Sequence, residues 1–338
     1  MVACSGSTEP IACDAYAEPG PYVAGVRTLD LDGVLVEVWY PADASAASMP
    51  LDEYDMRDAL PPEMRARIAA DEPTRFTSDA HRDAPASAEG PFPLVFFSHG
   101  LGGFRQQSSF LTAHLASWGF VVAAPEHAER NLAAVLADDG LSDEAIPQIR
   151  AALAALSEDT ALVDPSRLAL VGHSAGGGAI AALVDADDFD AQVWVSLASI
   201  AAPRAPVQGL LMGGDNDLIA VPETVLRTFE DIEHDDKRYV SIGGAGHLAF
   251  SDICTIGRDR GGVLQIARDS GIEISDLVVT LATDGCRDTD LPAETAWPII
   301  RHLTTATLRS ALQGDPSGLE QNDGVCFDGL VTTDRSAP

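Results

Sequence analysis

The stretch RLALVGHSAGGG, Arg167 to Gly178, decides how this chain is read. Its first half is a short apolar run of the kind that forms a buried strand. Its second half opens a Gly/Ala-rich segment that predicts a helix over Ala175–Val184. Between them lies G-x-S-x-G: Gly172, Ser174 and Gly176. The bare pattern is common, but in a strand–turn–helix context it describes a tight turn that presents a serine hydroxyl above a sheet. Glycine permits the strained backbone such a turn needs. Gly177 and Gly178 extend the small-residue tract, so the helix can approach the sheet closely.

Working outward, short apolar runs alternate with helical periodicity. Strands are predicted at Pro93–Ser98, Phe120–Pro125, Gln192–Leu197, Gln208–Met212 and Tyr239–Ile242, the last expected strand. Helices are predicted at Arg105–Trp118, Asp143–Ser157, Pro222–Glu230 and Ala293–Leu312. Continuous apolar strands interleaved with helices predict an α/β fold whose mostly parallel sheet is covered on both faces. Upstream, Tyr22–Leu31 and Leu35–Tyr40 flank Asp32-Gly33, a hairpin signal. The expected organisation is a tail, residues 1–20, then one catalytic domain, residues 21–330, with an insert over residues 43–91. The insert carries a possible helix, Pro62–Ala70, and three methionines, Met49, Met56 and Met64. It reads either as a mobile cover over a site or as a static excursion packed on the sheet edge.

A serine hydroxyl needs a base to take its proton, and the base needs an acid to fix its tautomer. With this turn the chain order is serine, acid, histidine. LLMGGDND (Leu210–Asp217) runs from a strand into an acidic turn at the carboxyl end of the sheet, where ligands sit in such folds. Asp217 and Asp215 compete for the acid role. Asp217 is preferred, with Asp215 as a turn residue. The base is expected after the last strand, where His247 stands. His81, His99, His114, His127 and His173 precede the nucleophile, His234 precedes the last strand, and His302 lies in the late helix.

Hydrolysis also needs backbone N–H groups aimed at the developing oxyanion. One donor is expected at Ala175, directly after the nucleophile. The second is expected in the loop His99-Gly100-Leu101-Gly102-Gly103, at Leu101, with Gly100 or Gly102 as alternatives. The expected apolar lining for substrate is Phe104, Leu218 and Leu248, with Ile200 and Trp194.

Together these motifs resemble the α/β-hydrolase superfamily over residues 20–312. SHGLGGFR (Ser98–Arg105) and LASWGFVVAAPEH (Leu115–His127) resemble the plasma-type platelet-activating-factor acetylhydrolases. VEVWYPA (Val36–Ala42) is similar to bacterial relatives labelled predicted dienelactone hydrolases, although true members use a cysteine where this chain has Ser174. GHSAGGG also resembles bacterial cutinases and polyester hydrolases, which differ in the HGL loop and lack a comparable insert. The resemblance implies an α/β-hydrolase fold with an inserted loop or lid after the second strand. It implies hydrolysis of short-chain or modified acyl esters, without a cofactor or metal. Cutinase-like polyester (PET-type) hydrolysis or lipase activity is the alternative. A non-catalytic hydrolase-like binding module would require a lost triad member, whereas all three have candidates.

Of 338 residues, 52 are Asp or Glu and 21 are Lys or Arg, a formal net charge of −31 with a single lysine, Lys237. That balance excludes a basic nucleic-acid footprint and polybasic docking on anionic lipid. It fits a heavily solvated surface or a salty medium that screens the charge. No apolar run is long enough to span a bilayer. Ala3-Cys4 resembles the end of a lipoprotein leader, so a lipid anchor at Cys4 is expected. The other four cysteines suit two disulfides outside the cytosol. Cys254–Cys286 and Cys13–Cys326 are favoured among three possible pairings. The absence of any C-x-x-C pair argues against zinc. The acidic run Asp185–Asp190 lacks the glycine and glutamate of an EF-hand loop and reads as a solvated helix end. The expected protein is a secreted, periplasmic or cell-surface bacterial monomer acting on a small-molecule or polymeric ester.

Overall fold

Alternate side chains of each central strand go to opposite faces, the period of two that a pleated strand imposes. Val95 and Phe97 pack in one buried cluster, and Leu94 and Phe96 in another. The same split divides Val171 from Leu170 and Val195 from Trp194. These observations come from a computed structural model that describes residues 14–137, 145–186, 189–319, 326–327 and 329–336.

The chain begins with β1 (Val23–Leu31) and β2 (Val34–Ala42), joined by Asp32 and Gly33, both at positive φ. The insert contributes β3 (Glu53–Asp55), α1 (Pro62–Arg65), β4 (Arg75–Thr77) and β5 (Ala80–Arg82). Then follow β6 (Phe92–Ser98), α2 (Ser109–Ser117), β7 (Val121–Pro125), α3 (Leu132–Ala137), α4 (Ala145–Ser157), β8 (Val163–His173) and α5 (Ala175–Asp185). The second half holds β9 (Ala191–Leu197), β10 (Gln208–Gly214), α6 (Pro222–Glu230), β11 (Lys237–Ile242), α7 (Gly262–Asp269), α8 (Asp276–Thr283), α9 (Ala293–Gln313) and β12 (Val331–Ser336).

The main sheet runs β12-β11-β10-β9-β8-β6-β7-β2-β1-β5, parallel from β11 through β7 and antiparallel where β2 joins β7 and β12 joins β11. Side chains of α2 and α9 (Leu111, Leu115, Ile299, Leu303) cover one face. Those of α4, α5 and α6 (Ile149, Leu156, Ile180, Leu183, Val225) cover the other.

The insert is docked on the fold. β5 pairs with β1 at the sheet edge, and Glu37 on β2 is ion-paired to Arg82 on β5. The predicted helix Pro62–Ala70 is shorter, because Ile68 turns inward against Ile266 and Ile272. The predicted helix Arg105–Trp118 starts later, at Ser109. There the Asp252 carboxylate takes the Ser109 and Phe110 N–H groups, while Arg105 is held outside by Glu37 and Glu126. β11 is not the last strand. The segment VTTDRS forms β12 beside it, a mostly exposed edge strand too polar to stand out in the sequence.

Candidate active site

β8 ends at His173 and α5 begins at Ala175, so Ser174 alone makes the turn, with φ 56° and ψ −120°. A non-glycine residue in that region is strained and is held there by its surroundings. The turn depends on missing side chains. A Cβ on Gly176 would lie 2.0 Å from the Ser98 carbonyl oxygen, and one on Gly172 would lie 2.4 Å from the Gly176 backbone. Ser174 N–H donates to the Leu197 carbonyl at 2.8 Å, which ties the turn to β9.

The candidate acid and base come from the ends of neighbouring strands. His247 opens the short turn after β11, and its Nδ1 lies 2.9 Å from Asp217 Oδ2, both groups buried. Asp217 Oδ1 accepts from the N–H groups of Ile219 and Ala220, which fixes the carboxylate. Asp215 faces elsewhere: its Oδ1 accepts from the hydroxyls of Ser241 and Thr332. Ser174 and His247 line one cavity together with Gly100, Leu101, Gly102 and Leu248.

In the oxyanion-loop candidate, Gly102 N–H is used on the Arg130 carbonyl at 2.8 Å and Gly103 N–H on the Gly100 carbonyl. Leu101 N–H and Ala175 N–H have no acceptor among the described residues. His99 sits behind the loop. Its Nε2 accepts from the His127 N–H, so its proton is on Nδ1, which donates to the Gly100 carbonyl at 2.9 Å. Burial, with the guanidiniums of Arg130 and Arg105 nearby, holds the His99 pKa down to about 4, so the ring is neutral. Arg130 Nη2 donates to Ser98 Oγ and to the His99 carbonyl, both at 2.9 Å.

The chain is similar to known proteins in part of its sequence and in its fold. A family model described as platelet-activating factor acetylhydrolase, isoform II, matches residues 30–160. The chain is 46% identical over 52 residues to a platelet-activating factor acetylhydrolase of Cavia porcellus, covering 15% of this chain and 12% of that protein. It is 55% identical over 52 residues to the Bos taurus protein of the same name, with 15% and 12% covered. These matches therefore span about an eighth of the relatives' length. A solved structure, the ferulic acid esterase from Streptomyces cinnamoneus, superposes with a TM-score of 0.65, covering 96% of this chain and 99% of that one at 22% identity. The fold is that of the α/β-hydrolases. Beside that fold, the chain resembles the platelet-activating factor acetylhydrolases in the segment that carries the HGL loop.

On this α/β-hydrolase scaffold, only part of the predicted lining meets the Ser174 cavity. Leu248 lines it. Phe104 is buried beneath, packed against Tyr54 and Leu248, because the loop turns its side chain inward. Trp194 lies within the core on the face covered by α4, α5 and α6, its indole N–H donating to the Val207 carbonyl and its ring filling the space above Gly209. Ile200 and Leu218 are exposed to solvent and do not line the cavity. The cavity instead takes Met56 from the insert, Leu132 and Val135 from α3, Ile253, and Val278, Leu281 and Ala282 from α8.

Four supporting residues, His173, Gln107, Asp284 and Arg287, were given no role by sequence reasoning. His173 Nε2 lies 3.1 Å from the His247 carbonyl, and its Nδ1 accepts from the Gln107 amide. Burial, with His247 beside it, lowers its pKa to about 3. Asp284 accepts from the Leu218 and His247 N–H groups and pairs with Arg287. Beside it, Cys286 is bonded to Cys254, the predicted pairing. Cys326 is also disulfide-bonded, while Cys13, its expected partner, and Cys4 lie outside the described residues. Among the described residues there is no metal-ligating cluster of His, Cys, Asp and Glu, and no helix long and apolar enough to cross a membrane.

Proposed function

We propose that this chain is a serine carboxylic-ester hydrolase working through an acyl-enzyme. The observation that carries this reading is the 2.9 Å contact of His247 Nδ1 with Asp217 Oδ2, in a cavity shared with Ser174 at positive φ. Ser174 Oγ adds to the ester carbonyl carbon while His247 Nε2 takes its proton. Asp217 holds the imidazole by Nδ1–H and stabilises the imidazolium that forms. Negative charge gathers on the carbonyl oxygen, where the unspent N–H groups of Leu101 and Ala175 receive it. The intermediate collapses, and the leaving alkoxide takes the proton from His247. Water then gives its proton to His247 and attacks the acyl carbon, and Ser174 departs with that proton.

The names of the relatives, an acetylhydrolase and a ferulic acid esterase, both describe ester-cleaving proteins and support the same reading. The Cys254–Cys286 bond, exposed at Cys286, supports a place outside the reducing cytosol. The decisive experiment measures turnover of p-nitrophenyl acetate and labelling by a fluorophosphonate. The wild-type chain should turn over the ester and be labelled at Ser174, and Ser174→Ala should abolish both. Undiminished turnover by Ser174→Ala would refute the assignment.

A further inference from the structure

The Ser174 cavity does not end at Ala282. Met56, Leu132, Val278 and Ala282 also line a second, narrow cleft, which runs on between the insert and α7. Leu60 and Ile68 of the insert line it together with Leu264, Ile266 and Ile272, and Ile68 touches Ile266 and Ile272 across it. Its two polar lining residues are already engaged. The Arg57 guanidinium is bound by Asp55 and the Ala69 carbonyl, and the Thr74 hydroxyl donates to Asp55. The cleft therefore offers no free partner to a charged group. None of its lining residues is aromatic, so it offers no face for a planar ring.

The cleft also has a side. Leu132, one of the shared residues, donates its N–H to the Gly103 carbonyl, and Gly102 lies against Leu281 and Val135. The cleft thus opens from the HGL-loop edge of the cavity. Past Ile253 and Ala282 the cavity also borders a polar cleft lined by Arg258, Arg287, Asp288 and Asp290, which meets the aliphatic one at Val263 and Leu264. A leaving alcohol must lie toward His247, which protonates it. The opposite arm, the acyl group, then points into the aliphatic cleft.

Resting on the esterase reading above, we infer that this cleft is the acyl subsite, and that it selects esters with an unbranched aliphatic acyl chain well beyond two carbons. Met56, at the junction, is the flexible side chain that lets the chain pass.

The test is a pair of ester series on the full chain. p-Nitrophenyl esters from acetate to octanoate vary the acyl arm, and acetate esters from methyl to octyl vary the alcohol. kcat/KM should rise at least ~30-fold from acetate to octanoate, mostly through KM, because each buried methylene favours binding. It should change little along the alcohol series. Ala267→Phe and Leu60→Trp, which fill the distal cleft from its two walls, should each lower the octanoate-to-acetate ratio about ten-fold. In the wild type, an octyl phosphonate should label Ser174 faster than an ethyl one, a readout that needs no variant. A flat or falling acyl series with acetate turned over normally overturns this inference and leaves the esterase reading intact, as does a preference that follows the alcohol. No turnover of any ester overturns both.

Discussion

The His99 ring donates from Nδ1 to the Gly100 carbonyl across 2.9 Å, and that bond sets the direction of the neighbouring Leu101 N–H. The carbonyl of Gly100 and the N–H of Leu101 belong to one planar trans peptide, so they point opposite ways. With Gly103 N–H also donating to that carbonyl, the plane is held from behind and the Leu101 donor faces away from it. His99→Phe removes the side-chain donor without adding charge. We expect kcat on a short ester to fall about 10–100-fold, less than the loss of an oxyanion donor itself, with KM nearly unchanged. Steady-state kinetics check this, and an unaltered kcat would mean that Gly103 alone holds the peptide.

The two acidic candidates separate cleanly. Asp217→Asn leaves the shape intact but lets the amide favour the wrong imidazole tautomer, so kcat should fall on the order of 10⁴-fold. Among the described residues the Asp215 side chain bonds the hydroxyls of Ser241 and Thr332 between β11 and β12, so Asp215→Asn should leave kcat within a few-fold of wild type. The reverse ranking would transfer the acid role to Asp215.

How far the sequence could be read follows from what each residue must do. Ser174 and the His247–Asp217 pair follow from covalent logic: a nucleophile needs a base and the base an acid, in a known order along the strands. The central strands were legible because burial on both faces makes them short, mostly apolar runs. The lining was not, because the depth of a side chain depends on the path of loops and the insert. Phe104 points down and Leu218 points out, although both stand beside catalytic candidates. Asp284 was invisible for another reason. Its partners are backbone N–H groups, which carry no residue code, and it lies 67 residues beyond Asp217.

Asp284 nonetheless joins the two loops that matter. It receives the N–H of Leu218, next to Asp217, at 2.7 Å and the N–H of His247 itself at 3.3 Å. Asp284→Asn keeps the size of the side chain, weakens its acceptors and loosens Arg287. kcat should drop about ten-fold with a smaller change in KM, and the conservative Asp284→Glu should restore only part of it. Reduction of Cys254–Cys286 should act on the same segment more mildly, while lowering the unfolding free energy. The bond spans 32 residues, worth roughly 3–4 kcal/mol by the chain-entropy estimate. Kinetics and denaturant titration with and without reductant measure the two effects; unchanged kinetics in Asp284→Asn would assign that residue to packing alone.

The histidines make a prediction about pH that opposes the one net charge would give. His99, His114, His127 and His173 are all buried, and burial lowers each pKa: to about 4 for His99, about 3 for His114 and His173, and well below the usual value for His127. In the unfolded chain they titrate near ~6.5. Below that pH the unfolded state takes up protons that the folded state refuses, so their contribution to stability is complete above pH ~6.5 and is lost as pH falls toward 4. The shift of His99 alone corresponds to about 3 kcal/mol at full expression. Asp252 works the other way, since burial raises its pKa and its protonation favours the folded state as pH falls. It is one group against four. Relief of the self-repulsion of a chain carrying −31 requires protonation of surface carboxylates, near pH ~4 and below. Between pH 6.5 and 5 the histidines therefore decide the sign, and the thermal midpoint should fall steadily. His114→Gln, remote from Ser174, should make that fall shallower. A midpoint that stays level or rises from pH 7 to 5 would show that charge relief dominates.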